Sequence, residues 1–97
     1  MSEISKQSGV VTVLANRMVE ERLPKALALK ARIDKGEVLN ELDLNFLEQV
    51  LNDANAVLPL ARDDPRVLEL AGRMMTLYRE ITAKALANEQ AKAGGKT

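Results

Sequence analysis

The residues with the greatest potential for chemistry are seven acids in the middle of the chain. They are Glu37, Glu41, Asp43, Glu48, Asp53, Asp63 and Asp64. Closely spaced carboxylates could bind Ca²⁺, but the run that begins Asp53-Ala54-Asn55 continues with apolar residues and lacks the central glycine of a calcium loop. A helical di-iron site needs Glu-x-x-His motifs, and the chain has 0 histidines. We therefore expect no metal and no cofactor, and we interpret most of these acids as helix caps and solvated surface charges.

The second candidate is a basic face in the first third of the chain. Its members recur at a spacing of three to seven residues near one side of a predicted helix: Arg22, Lys25, Arg32 and Lys35. Such a face could hold nucleic-acid phosphates. However, 14 basic residues are balanced by 14 acidic ones, and a formal net charge of zero lacks the basic surplus of a nucleic-acid binder. Pairing with the acidic middle segment is the competing interpretation.

No set of side chains suited to catalysis is present. The absence of histidine removes the usual general base, and the absence of cysteine removes thiolate nucleophiles and disulfides. Tyr78 is the one hydroxylated aromatic, and it lies on an apolar stripe, which favours a packed ring. The Gly94-Gly95 pair has no helix after it and cannot form a phosphate-binding loop. The sequence therefore predicts a protein that is not an enzyme.

The composition also bears on location. A small secreted chain often needs disulfides, so a chain without cysteine is expected in the reducing cytoplasm. The first six residues show no secretory signal, and the apolar run from Val10 to Ala15 is far shorter than the ~20 residues of a spanning helix. We expect a cytoplasmic protein without membrane contact.

Three segments show helical periodicity. The first runs from Gly9 to Lys35, and Gly36 suits the position after its end. Pro24 falls inside this segment and removes one hydrogen bond, so the segment is either a kinked helix or two helices that meet at Leu23-Pro24. We favour the kinked helix. Its apolar stripe consists of Val11, Leu14, Ala15 and Met18, continued by Val19, Leu23, Ala26, Leu29 and Ile33.

The other two segments have marked starts. The second begins near Asn40 or Asp43, either of which can cap it, and Pro59 should kink or end it. Its stripe consists of Leu47, Val50, Leu51, Ala54, Val57, Leu58 and Ala61. The third begins at Asp64-Pro65, a capping carboxylate followed by a proline at the first helical position. Its stripe consists of Val67, Leu70, Ala71, Met74, Leu77, Tyr78, Ile81 and Ala85, widened by Leu68, Met75 and Leu86.

Three helices joined by short links predict an all-α fold, an antiparallel three-helix bundle with a proline-kinked first helix. We expect one domain over residues 9–90, with disordered tails over residues 1–8 and 91–97. The middle segment, residues 37–64, has one basic and seven acidic groups, whereas both flanking segments are net basic. Complementary charges on neighbouring helices fit this arrangement.

The leading functional hypothesis is a small non-catalytic module that binds another protein, with self-association into a homodimer as one form of that binding. It rests on the wide apolar face of the third helix, where the candidate partner-binding residues are Leu68, Met74, Met75 and Tyr78. The alternative hypothesis is a nucleic-acid-associated regulatory bundle that uses the basic faces of the first and third helices. Nothing in the sequence identifies the partner or the pathway.

Overall fold

The structure is a computed structural model that describes the backbone of residues 2–60 and 62–94 and the side chains of residues 9–60 and 62–93. Within these residues every regular element is a helix: α1 (Ser2–Arg17), a π-helical turn (Met18–Arg22), α2 (Leu23–Asp34), α3 (Glu41–Leu60) and α4 (Pro65–Gly94). The π turn joins α1 to α2 without a break, and we call the three together the first rod. The predicted all-α three-helix bundle is confirmed.

The directions of the helices follow from two ion pairs and one side-chain amide. Arg22 pairs with Asp53 at 2.9 Å, and Arg32 pairs with Asp43 at 3.0 Å. Ten residues forward along the first rod therefore correspond to ten residues backward along α3, so the two run antiparallel. Asn88, near the end of α4, reaches the end of α2, so α4 runs parallel to the first rod. The order is up, down, up.

The bundle is long and narrow. Its extents are 64 × 19 × 16 Å, and its radius of gyration is 16.0 Å. A compact domain of this length has a radius of gyration of about 12.5 Å. The core is therefore a thin strip along the bundle axis, filled mainly by aliphatic side chains. Its largest fully buried members are Met18, Ile33, Val50, Val57, Met74 and Ile81.

The π turn decides which residues of the first rod face this core. A π turn holds one more residue per hydrogen-bonded turn than an α turn, and the N–H of Leu23 donates to the carbonyl of Met18, five residues back. Met18 and Ala26 are consequently both buried although they lie eight residues apart. Val19, predicted to lie on the core stripe, is 49% exposed. That prediction was wrong because it assumed uninterrupted α-helical periodicity. Pro24 lies in the first turn of α2, immediately after the π turn, so the alternative of two separate helices is not observed.

The predicted starts of α3 and α4 are confirmed by their capping hydrogen bonds. The Asp43 N–H donates to Asn40 Oδ1 at 2.8 Å, and the Asn40 N–H donates to Asp43 Oδ2 at 3.0 Å. This reciprocal pair makes Asn40 the cap and Asp43 the third helical residue, as in a capping box. At the start of α4, the Arg66 N–H donates to Asp64 Oδ1 at 3.1 Å. α3 ends at Leu60, one residue after Pro59, as predicted.

The end of α2 is closed by Gly36, whose φ is +103°. The Gly36 N–H donates to the Ile33 carbonyl at 3.0 Å, and the Glu37 N–H is 3.4 Å from the Arg32 carbonyl. These two bonds form a Schellman motif, which needs a left-handed residue at the position that Gly36 occupies.

Helical backbone extends further at both ends than predicted. α1 begins at Ser2 instead of Gly9, and α4 continues to Gly94. A helix can continue on its own backbone hydrogen bonds where no neighbour packs against it, and apolar periodicity does not report such ends. The predicted tails cover residues 1–8 and 91–97. The side chains of residues 1–8 and all of residues 95–97 lie outside the described part of the chain.

Next to the Schellman motif, polar groups from all three helical segments meet. The Asn88 Nδ2 group donates to the carbonyls of Ile33 at 2.7 Å and Glu37 at 2.8 Å, and Asn88 is buried. Arg32 donates from both terminal nitrogens to Asp43 and from Nε to Glu37. We call this group the polar corner, which consists of Arg32, Glu37, Asn40, Asp43 and Asn88.

We expect Gly36→Ala to lower the free energy of unfolding by about 1 kcal/mol, because a Cβ is strained at positive φ although it meets no atom within 4 Å. Gly72→Ala is the matched control. Gly72 lies in open space in the middle of α4, so the same added methyl group should stabilise the helix by about 0.5–1 kcal/mol. Urea unfolding of both variants measures the two effects. If both substitutions changed the free energy of unfolding by the same amount and in the same direction, the Schellman motif at Gly36 would be contradicted.

We expect Asn88→Ala to lower the free energy of unfolding by about 1–3 kcal/mol, because two carbonyls lose a donor in a buried place. Asn88→Asp keeps the size but turns an oxygen toward both carbonyls, so it should be the more destabilising of the two near neutral pH. Gln90→Ala, an exposed change on the same helix, should stay within about 0.5 kcal/mol of wild type. A tolerated Asn88→Asp would show that shape rather than hydrogen bonding matters here.

Candidate functional site

Apolar side chains form a strip along the side of α3 and α4 that is turned away from the first rod. On α3 the members lie seven residues apart, and on α4 the spacing of seven recurs once. We call this strip the α3–α4 seam, and its members are Leu44, Leu51, Leu58, Leu68, Met75, Tyr78 and Leu86. Residues seven apart lie on nearly the same side of a helix, so the three leucines of α3 form one row along it.

The orientation of α3 follows from its contacts with the first rod. Asp53 accepts a hydrogen bond from Arg22, so Asp53 marks the side of α3 that faces the π turn. At 3.6 residues per turn, the three seam leucines of α3 lie roughly 140–180° around the helix from Asp53. They therefore occupy the flank that is turned toward α4 and solvent.

The orientation of α4 follows in the same way. Asn88 donates a hydrogen bond to the Ile33 carbonyl, so Asn88 marks the side of α4 that faces α2. Leu68, Met75 and Leu86 lie roughly 140–160° around the helix from Asn88. They therefore occupy the flank of α4 that is turned away from α2.

The candidate partner-binding residues fall into two groups. Leu68, Met75 and Tyr78 are half-buried members of the seam. Met74 is wholly buried in the core, so its place in the predicted binding surface was wrong. The reason is its position on the core stripe, three residues after Ala71 and seven before Ile81, where it packs between the helices.

The most exposed members of the seam are leucines. Leu44 is 54% exposed and Leu86 is 58% exposed, and Leu58, predicted for the core, is also exposed. Leu86 belongs to the widened face predicted for the third helix, whereas Leu44 is not among the predicted partner-binding residues. The spacing of seven between Leu44, Leu51 and Leu58 is the signal that would have found it.

The candidate basic face divides between paired and unpaired residues. Arg22 pairs with Asp53, and Arg32 pairs with Asp43 and Glu37, so both arginines bridge to the acidic side of the bundle. The hydrogen bonds that Arg32 donates to the carboxylates of Asp43 and Glu37 raise the pKa of Arg32 above its ordinary value. Lys25 lines a shallow groove beside α3, and Lys35 is exposed at the end of α2. Two of the four predicted basic residues are therefore paired with carboxylates of the same chain. The four do not form a face of unpaired cations that could bind nucleic-acid phosphates.

Two grooves interrupt the surface of the bundle. The larger, of about 970 Å³, separates α1 from the start of α4, and its walls include Val11, Val19, Val67 and Leu70. The smaller, of about 490 Å³, lies between α2 and α3 and includes the exposed Leu42. Both grooves are open and mix apolar with polar walls. The wall of the larger groove also includes the adjacent carboxylates of Asp63 and Asp64. In the described part of the chain no group of three or more His, Cys, Asp or Glu residues could hold a metal ion.

Among the described residues Asp43 carries the one buried carboxylate, and both of its oxygens accept hydrogen bonds. It accepts hydrogen bonds from Arg32 and from the Asn40 N–H, and these lower the pKa of Asp43 against the opposing effect of burial. A carboxylate held ionised by an arginine stabilises a fold and is poorly suited to donating a proton. Tyr78 packs against the core. Among the described helices, none has the length and apolar content needed to cross a bilayer.

Comparisons with known proteins give no match: no family model, no curated protein and no solved structure is similar to this chain at a significant level.

The ion pair of Asp43 gives a pH dependence with a definite sign. Because the pKa of Asp43 is lowered by folding, its contribution to stability is complete above the unfolded pKa of about 3.9 and is lost as the pH falls through the folded pKa. We expect the free energy of unfolding of the wild type to decrease below about pH 4. Asp43→Asn should be less stable at neutral pH and should lose less on acidification.

Urea unfolding at a series of pH values measures this difference. Glu48→Gln is the control, since Glu48 is an exposed carboxylate on the same helix and makes no ion pair within the described part of the chain. An acid loss of the same size in Asp43→Asn and in the wild type would show that the Arg32 pair contributes nothing to acid stability.

Proposed function

We propose that this chain is a small non-catalytic protein-interaction module that self-associates through the α3–α4 seam. The observation that carries the proposal is the seam itself, an apolar strip on the outside of two packed helices with strongly exposed leucines at Leu44 and Leu86. Seven-residue spacing on α3 presents the strip in the form that a partner helix can meet along its length.

The nucleic-acid alternative receives less support. Arg22 and Arg32 are neutralised by carboxylates, which leaves Lys25 and Lys35 as the free cations of the predicted basic face. A cytoplasmic location is proposed with the leading function, on the absence of cysteine from the chain.

Sedimentation velocity over a concentration series tests the proposal. We expect a reversible dimer for the wild type, and we expect Leu86→Asp to raise its dissociation constant by at least about tenfold, because a carboxylate replaces an apolar contact worth more than about 1.4 kcal/mol. Leu44→Asp should have the same effect from the neighbouring helix.

The control is Leu27→Asp, a matched change at a leucine of α2 that is 46% exposed and lies outside the seam. It should leave the dissociation constant unchanged. Urea unfolding of each variant separates loss of association from loss of fold. A wild type that stays monomeric throughout the series overturns the proposal, and duplex binding that weakens steeply with salt would then favour the nucleic-acid alternative.

A further inference from the structure

The ion pairs between the first rod and α3 follow a regular spacing. Arg32 pairs with Asp43 at 3.0 Å, and Arg22 pairs with Asp53 at 2.9 Å. A step of ten residues back along the first rod thus matches a step of ten residues forward along α3, and at both levels an arginine meets an aspartate.

The next step of this series leads to positions 12 and 63, where the aspartate has no arginine opposite it. Position 12 is Thr12, and position 63 is Asp63, in the turn after α3. Both residues line the larger groove between α1 and the start of α4. Asp63 is exposed and makes no ion pair within the described part of the chain. The third pair of the series therefore has its acid and lacks its base.

The two arginines that are close to Asp63 in the sequence do not take this place. Arg62 is not a wall residue of the groove and makes no ion pair among the described residues. Arg66 does line the groove, but its side chain is 93% exposed and its Nε lies 3.8 Å from Asp64. Asp64 also accepts the Arg66 N–H as the cap of α4. Asp63 is thus the carboxylate of the groove that a cation from another molecule can reach.

The groove offers apolar surface beside this carboxylate. On the first rod the apolar walls recur every four residues at Val11, Ala15 and Val19, and on α4 they are Val67 and Leu70. Residues at such spacings lie on one side of a helix. Val11 and Val67 are nearly buried, whereas Val19 is 49% exposed. Apolar surface therefore remains for an occupant to cover.

We propose that this groove binds a helix of another protein that presents apolar side chains to the walls and a basic side chain to Asp63. Because α1 and α4 run in the same direction, a helix between them would pack as the fourth helix of a bundle at this end. The groove shares no wall residue with the α3–α4 seam, so this inference goes beyond the proposed function and does not rest on it.

Two synthetic helical peptides test the charge requirement. Both have leucines that recur every three or four residues, and beside the leucines one has arginines and the other has glutamates. We expect the arginine peptide to bind the wild type about two- to fivefold more tightly, as for a partly exposed ion pair, and Asp63→Asn to abolish this preference. Glu89→Gln, an exposed change in the last turns of α4, should keep it. Equal binding of the two peptides to the wild type, no binding of either, or a preference that survives in Asp63→Asn overturns the inference.

Thr12→Arg tests the missing pair within the chain itself, with Thr12→Gln as the neutral control. An arginine at position 12 should complete the series with Asp63, so the midpoint of urea unfolding should be higher than in Thr12→Gln. The arginine peptide should bind about two- to fivefold more weakly, because its cation then competes with an internal one. Both effects should vanish when Asp63→Asn is combined with Thr12→Arg. A Thr12→Arg protein that matches Thr12→Gln in midpoint and in peptide binding overturns the inference.

Val19→Asp tests the apolar wall, and Val13→Asp is its matched control, since Val13 is 58% exposed on α1 and does not line the groove. We expect Val19→Asp to weaken binding of the arginine peptide by at least about tenfold and Val13→Asp to leave it unchanged. Urea unfolding of both variants separates loss of binding from loss of fold, and the Asp63 and Thr12 variants leave the apolar walls intact.

Sedimentation velocity separates this inference from the proposed function. Val19→Asp should leave the dissociation constant of the wild-type dimer unchanged, because the seam is intact. A dimer that is weakened by Val19→Asp as strongly as by Leu86→Asp would show that a second copy fills the groove, and it would overturn the inference. Loss of peptide binding with an unchanged dimer supports the groove as a separate site.

Discussion

The arrangement of the bundle depends on the polar corner, where the amide of Asn88 donates to two carbonyls at the end of α2. A helix end leaves carbonyls without partners, and a buried one must find donors. Asn88 of α4 supplies the donor for two of these carbonyls, and this contact fixes the register of α4 against the first rod. Asp43, shared between the Asn40 cap and Arg32, fixes α3 at the same place.

Fixing the helices at one end has consequences at the other. α4 packs more extensively on α2 than on α1, and the larger groove opens between α1 and α4. The π turn lies between α1, beside which the groove opens, and α2, which packs closely on α4. It rotates the apolar face of α2 relative to that of α1, so Ala26 and Leu29 reach the core while Val19 faces the groove. Pro24 is the second residue after this turn, and because it has no N–H the rod continues past it without a hydrogen bond donated at that position.

Most of the fold could be predicted because its signals are local. The Asn40 and Asp64 caps and the glycine at position 36 act over a few residues, and each is where the pattern places it. Most predicted stripe residues of α3 and α4 are buried or half-buried, although Leu58 is exposed. The failures involve relations between segments. Asn88 hydrogen-bonds a carbonyl 55 residues away in the sequence, and no local residue pattern predicts such a contact. The π turn shifts the side of the helix on which later residues lie, and a prediction that assumes 3.6 residues per turn throughout misses this shift. Met74 is buried and Met75 is half-buried, and this difference could not be predicted without knowing which side of α4 faces the core.

Charged residues lie on both sides of α3, but their roles differ between the two sides. Toward the first rod, carboxylates are matched with arginines of the same chain, so charge there sets the internal register. Toward α4 and solvent, leucines lie among charges that the described chain leaves without ion pairs. A strip of leucines alone is a poor guide to direction, since apolar contact is nearly as favourable either way along it.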